Sequence, residues 1–331
     1  MKSPYTGQEM TLKKEKRTFS FRKKEFEIIY HFYFCDESKE QFVDTPLATL
    51  NQNQIHNQYR EILGIPFVDK IKSIRAKYQV SAKKLSEILG LGVNSYRLYE
   101  NGEVPSVANG RLILSIDNPS VFIEQIKASS HLLSEKETQK LIIQAKSTLS
   151  LRKSDNVRDA LLRPYRPSIN SGYKTLDLQI VTQLIAFFQE EIELYKTKLN
   201  KLLFYADFAI FKETGFSLTG LQYRAITYGP VPKDYDQLYS FLESQHLISI
   251  HEVNFNGIYG DEIKINPPLS YSFDETTLQI LINVRHQLKD LSAKEIVELS
   301  HKEKAWIENK NNKAIIPYLE GFWMVGLNKN Y

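Results

Sequence analysis

Hydrophobic residues follow two different periods along the chain. Between Phe19 and Phe34 they occupy alternating positions over much of the run, which is the period of a β-strand. From about Asn51 they recur every three or four positions, and Gly64 then marks a break. The pattern therefore predicts a small β-rich module over residues 1–62, followed by helices.

Residues 63–150 show the pattern of a compact helical unit. Five short helices, each bounded by Gly, Pro, Ser or Asn, are predicted at about 67–78, 81–89, 93–100, 106–115 and 120–128. A further helix is predicted at about 134–147, because Ser134 and Glu137 have the spacing of a capping box. The stretch 151–174 loses this periodicity and contains Pro, Ser and Gly, so we predict an interdomain linker there.

Residues 175–331 predict a second domain that is mainly helical. Helical periods cover about 175–191, 197–211, 234–243, 275–288 and 293–308. An extended segment is expected at 221–228, and a hairpin at 247–265 has the type I′ turn pair Asn256 and Gly257. The predicted fold class is thus α+β and mainly helical, with a small N-terminal β module and a small C-terminal β-hairpin.

The distribution of charge gives the first indication of a partner. The chain of 331 residues has a net charge of +4, with 42% apolar and 25% charged residues, which are ordinary globular values. Residues 1–170 contain 27 basic and 19 acidic residues, net +8, whereas residues 171–331 contain 16 and 20, net −4. A basic front half suits the phosphate backbone of a nucleic acid, although a simple bias of the solvated surface explains the same numbers.

Several classes of protein are excluded by the composition. No apolar run reaches the length of about 18 residues that a membrane helix needs, so we expect a soluble cytoplasmic protein with no membrane partner. The single cysteine, Cys35, permits neither an intrachain disulfide nor an all-cysteine zinc cage. We therefore expect no metal and no cofactor.

The segment Ser81 to Gly102 has the spacing of a helix-turn-helix. Ser81 is suited to cap the first helix, and Gly90 supplies the positive φ of a tight turn. Ser86 and Tyr96 lie four residues before and six residues after that glycine, so a small contact and a buried anchor flank the turn. Two steeply crossing helices require this arrangement.

The end of the second helix, Tyr99–Gly102, resembles that of the Xre and Cro family of helix-turn-helix regulators. The resemblance implies a λ-repressor-like five-helix unit whose helix 93–100 lies in the major groove of double-stranded operator DNA. The implied base-reading residues are Asn94, Ser95 and Arg97, and the implied phosphate contacts are Ser81, Lys83 and Lys84. A homodimer on paired half-sites is expected, and a helical hairpin used only for packing is the alternative.

The front module contains two turn segments, Ser3–Gly7 and Cys35–Ser38. They resemble the two knuckles of the zinc-binding helix-turn-helix antitoxins of the MqsA or YgiT type, but three of the four thiols are missing. Because hydroxyl groups do not replace thiolates on Zn²⁺, we expect the β scaffold without the metal.

No catalytic motif is complete in the rear half. Gly215 and Gly220 have the spacing of a phosphate loop, but Leu221 and Gln222 stand where a lysine and a hydroxyl residue are needed. The histidines show no paired spacing for zinc. We predict no catalytic residues and no enzyme.

The rear half contains the segments Lys201–Ala206 and Ala225–Pro232, followed by His301 and Trp306. Together they resemble the Panacea domain, which is also called SocA-like. The resemblance implies a module that binds and neutralises a protein toxin encoded beside it, with a protease as a further candidate partner. The amphipathic residues expected to contact the toxin are Tyr223, Arg224, Tyr228 and Trp306, for which a place in the core is the alternative.

Together these resemblances predict an antitoxin of a type II toxin–antitoxin system. Residues 175–331 would neutralise the toxin by direct binding, and residues 63–150 would bind operator DNA and autoregulate. Two alternatives remain open. One is a transcription regulator with a partner that is not a toxin, and the other is a nucleic-acid enzyme with an unrecognised site.

Overall fold

The computed structural model describes residues 1–150, 162, 165–255, 258–266 and 270–327. The chain forms two compact units: the inserted unit, His56–Pro164, and the main unit, Met1–Ile55 with Tyr165–Tyr331. This division differs from the predicted boundaries, because the front β residues share a unit with the rear half. Most of the predicted linker lies outside the described residues.

An antiparallel hairpin opens the main unit. β1 (Thr11–Phe21) pairs with β2 (Lys24–Phe34), and the short β3 (Gln41–Phe42) pairs with the end of β2. The turn between β1 and β2 consists of Arg22 and Lys23, both with positive φ (47° and 65°), as a two-residue hairpin turn demands. The prediction of a β-rich front module is confirmed.

Helix α1 (Thr45–Leu63) completes the free edge of β2. The Asn51 side chain accepts a hydrogen bond from the His31 N–H and donates one to its carbonyl, both at 2.9 Å. Gln54 does the same at Ile29, with distances of 3.0 and 2.8 Å. Two side-chain amides thereby satisfy backbone groups that an exposed strand edge would leave unpaired.

Contacts within the main unit explain why residues 1–55 belong with the rear half. The Lys14 ammonium donates to the Phe322 carbonyl at 2.5 Å, and the His31 ring meets the Phe322 ring edge-on at 4.7 Å. The Asn53 amide donates to the Thr214 carbonyl at 2.9 Å. The front module is therefore part of the main unit's packing.

The inserted unit is helical, as predicted. Its helices beyond α1 are α2 (Val68–Tyr78), α3 (Ala82–Ile88), α4 (Ser95–Glu100), α5 (Val107–Ser115), α6 (Pro119–Ala128) and α7 (Glu135–Ser150). They surround an apolar core in which the rings of Tyr78 and Phe122 stack at 4.1 Å.

The rear part of the main unit is built around one buried helix. Its elements are α8 (Leu178–Gln189), α9 (Lys196–Thr214), β4 (Tyr223–Ile226), β5 (Gly229–Pro232), α10 (Tyr235–Ser244), β6 (Ile248–Phe255), β7 (Ile258–Ile265), α11 (Glu275–Leu288), α12 (Ala293–Ser300) and α13 (Lys304–Ile307). α9 is buried along residues 198–211. β4 pairs with β5, and β6 with β7. The predicted turn at 256–257 lies outside the described residues.

The predicted single helix over 293–308 is wrong, because α12 ends at Ser300 and α13 begins at Lys304. Glu303 has extended backbone angles (φ −72°, ψ 132°) between them. Its buried carboxylate accepts hydrogen bonds from the N–H groups of Val325 (3.0 Å) and Gly326 (2.8 Å). This contact, which the local sequence does not encode, accompanies the break in the helix.

Candidate functional site

The turn between α3 and α4 has the geometry that its sequence spacing predicts. The Ser86 hydroxyl accepts a hydrogen bond from the Tyr96 N–H at 3.1 Å, which requires a small side chain at that point. Gly90 has φ +63°, a conformation that most other residues resist. Both features fix the direction in which α4 leaves the turn.

The inner side of α4 is held by buried polar contacts. The Tyr96 hydroxyl donates to the Ile71 carbonyl at 2.9 Å. Glu100 is buried and accepts a hydrogen bond from Arg75 Nε at 2.6 Å, while another nitrogen of Arg75 donates to the Val80 carbonyl at 3.1 Å. α4 is thus anchored on one side, which leaves its other side to face outward.

The predicted base-reading residues lie on or beside the outward side of α4. Asn94 and Arg97 are exposed and Ser95 is half-buried. The helix begins at Ser95 rather than at Val93, which places Asn94 at the position before the first turn. Val93 and Leu98 expose apolar side chains in the same segment. The structure therefore brings polar and apolar groups together at one surface.

The predicted phosphate contacts differ among themselves. Lys83 is exposed, whereas Lys84 is half-buried and forms ion pairs with Glu87 (3.0 Å) and Glu137 (3.5 Å). The hydrogen bond with Glu87, together with both negative charges, raises the pKa of Lys84. The Ser81 hydroxyl accepts from the Lys84 N–H at 3.1 Å and so caps α3. Of these three residues, Lys83 is the most available to a phosphate.

Residues at the two degenerate knuckles lie close together. The Thr6 hydroxyl is 3.4 Å from the Cys35 sulfur, and the Ser3 hydroxyl accepts from the Thr6 N–H at 3.3 Å. Hydrogen bonds from Ser38 and then Thr6 lower the pKa of the Cys35 thiol to about 6. No cluster of three His, Cys, Asp or Glu residues suited to a metal occurs in the described part of the chain.

A buried carboxylate organises the loop that precedes β4. Asp207, on α9, accepts hydrogen bonds from the N–H groups of Leu218 and Thr219, both at 2.8 Å, and from the Tyr223 hydroxyl at 2.7 Å. Burial raises the pKa of Asp207 in spite of these hydrogen bonds. The network fixes the start of β4, and with it the side chains that this strand presents.

The residues predicted to contact the toxin do not all lie on the surface, because side chains on a strand alternate between its two faces. Tyr223 is wholly buried and donates to Asp207, so its assignment to the surface is corrected: it is a core residue. Arg224, the next residue, is exposed because neighbouring side chains on a strand point to opposite faces. Tyr228, in the turn after β4, is 69% exposed. Trp306 is half-buried, and its ring N–H donates to the Ile226 carbonyl at 2.8 Å.

A stack of rings extends this surface. The His301 ring lies on the Trp306 ring with centroids 3.8 Å apart and planes at 12°. The Lys310 ammonium is 4.6 Å from the Trp306 centroid, a cation–π contact. We call the surface formed by Arg224, Tyr228, His301, Trp306 and Lys310 the stack face.

A buried lysine, for which the sequence analysis predicted no role, lies behind the stack face. Lys201 on α9 is only 1% exposed. A Cβ atom at Gly229 would lie 2.7 Å from Lys201 Cε and 3.3 Å from Nζ, so the absence of a side chain there lets the two residues approach. Burial lowers the pKa of Lys201 to about 7. The available signal was a lysine directly before the apolar stretch 202–206.

Comparison with known proteins identifies a domain in the rear part. The family model described as "Antitoxin SocA-like, Panacea domain" matches residues 199–307, which include Lys201, the exposed part of β4 and the ring stack. The predicted Panacea resemblance is thereby confirmed, whereas the resemblances of the front half stay predictions. No curated protein and no solved structure matches the chain. Among the described residues, no helix combines the length and apolarity needed to cross a membrane.

Proposed function

We propose that the protein is an antitoxin of a type II toxin–antitoxin system that acts by binding and not by catalysis. In this proposal the main unit binds a protein toxin encoded beside it and neutralises it. The helix-turn-helix binds operator DNA and thereby represses transcription of its own operon. The observation that carries the proposal is the match of residues 199–307 to an antitoxin domain.

The stack face supports a binding role for this domain. It combines the exposed Tyr228 with Trp306 and Arg224, and these three residue types dominate the energetics of protein interfaces. The carbonyl of Ile226 holds the Trp306 ring through a hydrogen bond, so this part of the surface is preorganised. A rigid surface of this kind loses little conformational entropy when a partner binds.

Coexpression with the neighbouring open reading frame tests the toxin-binding role. The full chain is used because residues 1–55 belong to the same unit as the rear half. We expect the neighbouring protein to arrest growth, the wild-type chain to relieve the arrest, and Arg224→Glu with Tyr228→Ala to fail. Tyr259→Ala, at a tyrosine that is 67% exposed on β7, is the matched control and should still relieve it.

Two outcomes would contradict the toxin-binding role. If expression of the neighbouring protein does not arrest growth, that protein is not a toxin. If it does arrest growth and the full chain does not relieve the arrest, the chain does not neutralise it. If DNA binding persisted in either case, the transcription-regulator alternative would be favoured. A catalytic turnover that survived stringent repurification would instead favour the enzyme alternative.

The geometry of the inserted unit supports the DNA-binding role. α4 is anchored from inside by Tyr96 and Glu100, and it leaves Asn94 and Arg97 exposed. Amide and guanidinium groups are the side chains that read adenine and guanine in the major groove. A homodimer on two half-sites would double this contact, and the promoter of the operon is the expected site.

Gel retardation with the promoter fragment tests this role. We expect Asn94→Ala with Arg97→Ala to abolish sequence-specific retardation, because each removes a base contact worth about 1–3 kcal/mol. Circular dichroism should show unchanged helicity. Lys127→Ala, at an exposed position on α6, serves as the control and should bind as the wild type does. Unchanged binding by the double variant would refute the assignment of α4.

A further inference from the structure

Two buried lysines on α9 differ in how their ammonium groups are satisfied. Lys198 is 8% exposed and donates a hydrogen bond to the Lys289 carbonyl at 2.6 Å. Lys201, one turn later, is more deeply buried, yet it forms neither a hydrogen bond nor an ion pair with any described residue. The pair provides an internal comparison between a lysine that serves the fold and one that does not.

An unpaired amine in the interior is unfavourable for folding. Burial penalises the charged form, which is why the pKa of Lys201 falls to about 7. An apolar side chain of the same length would fill the position without that penalty. A structural role therefore does not explain Lys201, and a partner group supplied from outside the described residues would.

Lys201 lies next to the stack face. Its Nζ would be 3.3 Å from a Cβ at Gly229, the neighbour of the exposed Tyr228. The His301 ring hydrogen-bonds to the Thr227 backbone, and its Nε2 is buried with no hydrogen-bond partner among the described residues. Burial and then the nearby charge of Lys201 lower the pKa of His301. Two unsatisfied nitrogen groups thus lie near each other at the same surface.

Arg224 and Lys310 give the stack face two positively charged side chains. Arg224 and Lys310 are exposed, and within the described ranges neither forms an ion pair with an acidic side chain. Glu298 is the acidic group near His301, and it lies 3.9 Å from Lys294 on the same helix. The surface therefore offers cationic groups beside aromatic rings, which is complementary to an acidic and partly apolar segment.

We propose that the stack face binds an acidic segment of the partner protein, one carboxylate of which is received by the ammonium of Lys201 and the protonated ring of His301 while others pair with Arg224 and Lys310. This inference rests on the proposed function, in which the main unit binds a protein partner. A carboxylate beside Lys201 and His301 favours the charged form of both groups, so binding above neutral pH takes up protons from solvent at both. Bringing Lys201 and the carboxylate together requires a local movement at the β4–β5 turn.

The test uses the full chain and two fluorescein-labelled peptides. One alternates Glu and Leu, and its counterpart has Gln in place of Glu. We expect the Glu peptide to bind more tightly than the Gln peptide by at least about tenfold, with an affinity that falls as salt rises. Arg224→Glu with Lys310→Glu should abolish the difference, whereas Lys24→Glu, at an exposed lysine on β2, should preserve it.

Lys201→Met separates recognition from folding. We expect this variant to raise the melting temperature by about 2–4 °C and to weaken binding of the Glu peptide about tenfold. Lys198→Met should lower the melting temperature and leave the affinity unchanged, because it removes a structural hydrogen bond. Damage to the fold would not produce a variant that is more stable and binds less.

The outcomes distinguish this proposal from the proposed function. Equal binding of the two peptides, or a Lys201→Met variant that is less stable and binds normally, would overturn the acidic-segment proposal. If the neighbouring protein still bound, the antitoxin role would stand without it. If the Glu peptide bound as expected but the neighbouring protein did not bind, the acidic site would stand and the antitoxin role would fail.

Discussion

The inserted unit and the main unit differ in whether their buried charged side chains have partners. In the inserted unit Glu100 pairs with Arg75 at 2.6 Å, and Asp117 pairs with Lys70 at 2.6 Å and with Lys77. Burial alone would raise the pKa of Asp117, but its lysine partners lower it. In the main unit Lys201 is buried without such a partner among the described residues.

The difference indicates where each unit is expected to meet its ligand. The inserted unit pairs Glu100 and Asp117 internally and places its candidate DNA-reading residues, such as Arg97, on an exposed surface. The main unit satisfies Asp207 and Glu303 internally, but the amine of Lys201, beside the stack face, has no partner among the described residues. Buried charged groups that stabilise the fold have partners within their own unit. A buried amine without such a partner indicates a site that binds a group from another molecule.

The largest effect on stability is expected for Asp207→Ala. The substitution leaves the N–H groups of Leu218 and Thr219 and the Tyr223 hydroxyl without their acceptor. We expect the free energy of unfolding to fall by about 3–5 kcal/mol in urea titrations. Asp207→Asn keeps one oxygen acceptor and should lose less than half as much. Equal losses would show that the negative charge, and not the acceptor, matters.

A smaller loss is expected for Glu100→Ala in the inserted unit. Arg75 is about one third exposed and can turn toward water when its partner is removed. We expect a fall of about 2 kcal/mol in the free energy of unfolding, because a charged hydrogen bond is lost without leaving a deeply buried charge. A loss as large as that of Asp207→Ala would remove the contrast between the units.

The pH dependence of the free energy of unfolding tests the burial of Lys201 directly. Because its pKa is about 7 in the folded chain and near 10.5 when unfolded, the unfolded chain binds more protons between these values. The contribution of Lys201 to stability therefore rises with pH through that window. The stability advantage of Lys201→Met over the wild type should shrink by about 2 kcal/mol between pH 7.5 and 9. Urea titrations at both pH values measure it, and a constant advantage would contradict the assignment.

The smallest effect is expected at the surface pair Lys294 and Glu298. Their charged groups are 3.9 Å apart, and the side chains are 86% and 60% exposed. Glu298→Gln should change the free energy of unfolding by less than about 0.5 kcal/mol, because exposed pairs are screened by water and salt. A change above 1 kcal/mol in the same titrations would show that Glu298 has a structural partner beyond Lys294.

Local signals predicted most of the helices. The ends of α3 were predicted correctly from Ser81 and Gly90, and α11 runs over the predicted residues 275–288. α1 begins at Thr45, before the predicted start, because Asp44 accepts from the Leu47 N–H at 2.9 Å. The turn between β1 and β2 was not predicted, since Arg22 and Lys23 are not typical of positive φ.

The candidate site was predicted only in part because burial depends on long-range packing. Arg224 and Tyr228 are exposed as a binding role requires, but Tyr223 points inward to Asp207, sixteen residues earlier in the chain. Sequence periodicity does not show which side of a short strand faces the core. Lys201 went unassigned for a similar reason, since an apolar helix predicts burial but not the missing partner.

The placement of the inserted unit between residues 55 and 165 has a consequence for synthesis on the ribosome. The N-terminal hairpin emerges first, but it reaches its contacts with Phe322 only after nearly the whole chain has been translated. The helix-turn-helix has all of its residues much earlier and can fold while translation continues. A newly made chain is therefore expected to acquire the surface proposed to bind DNA before the surface proposed to bind a protein.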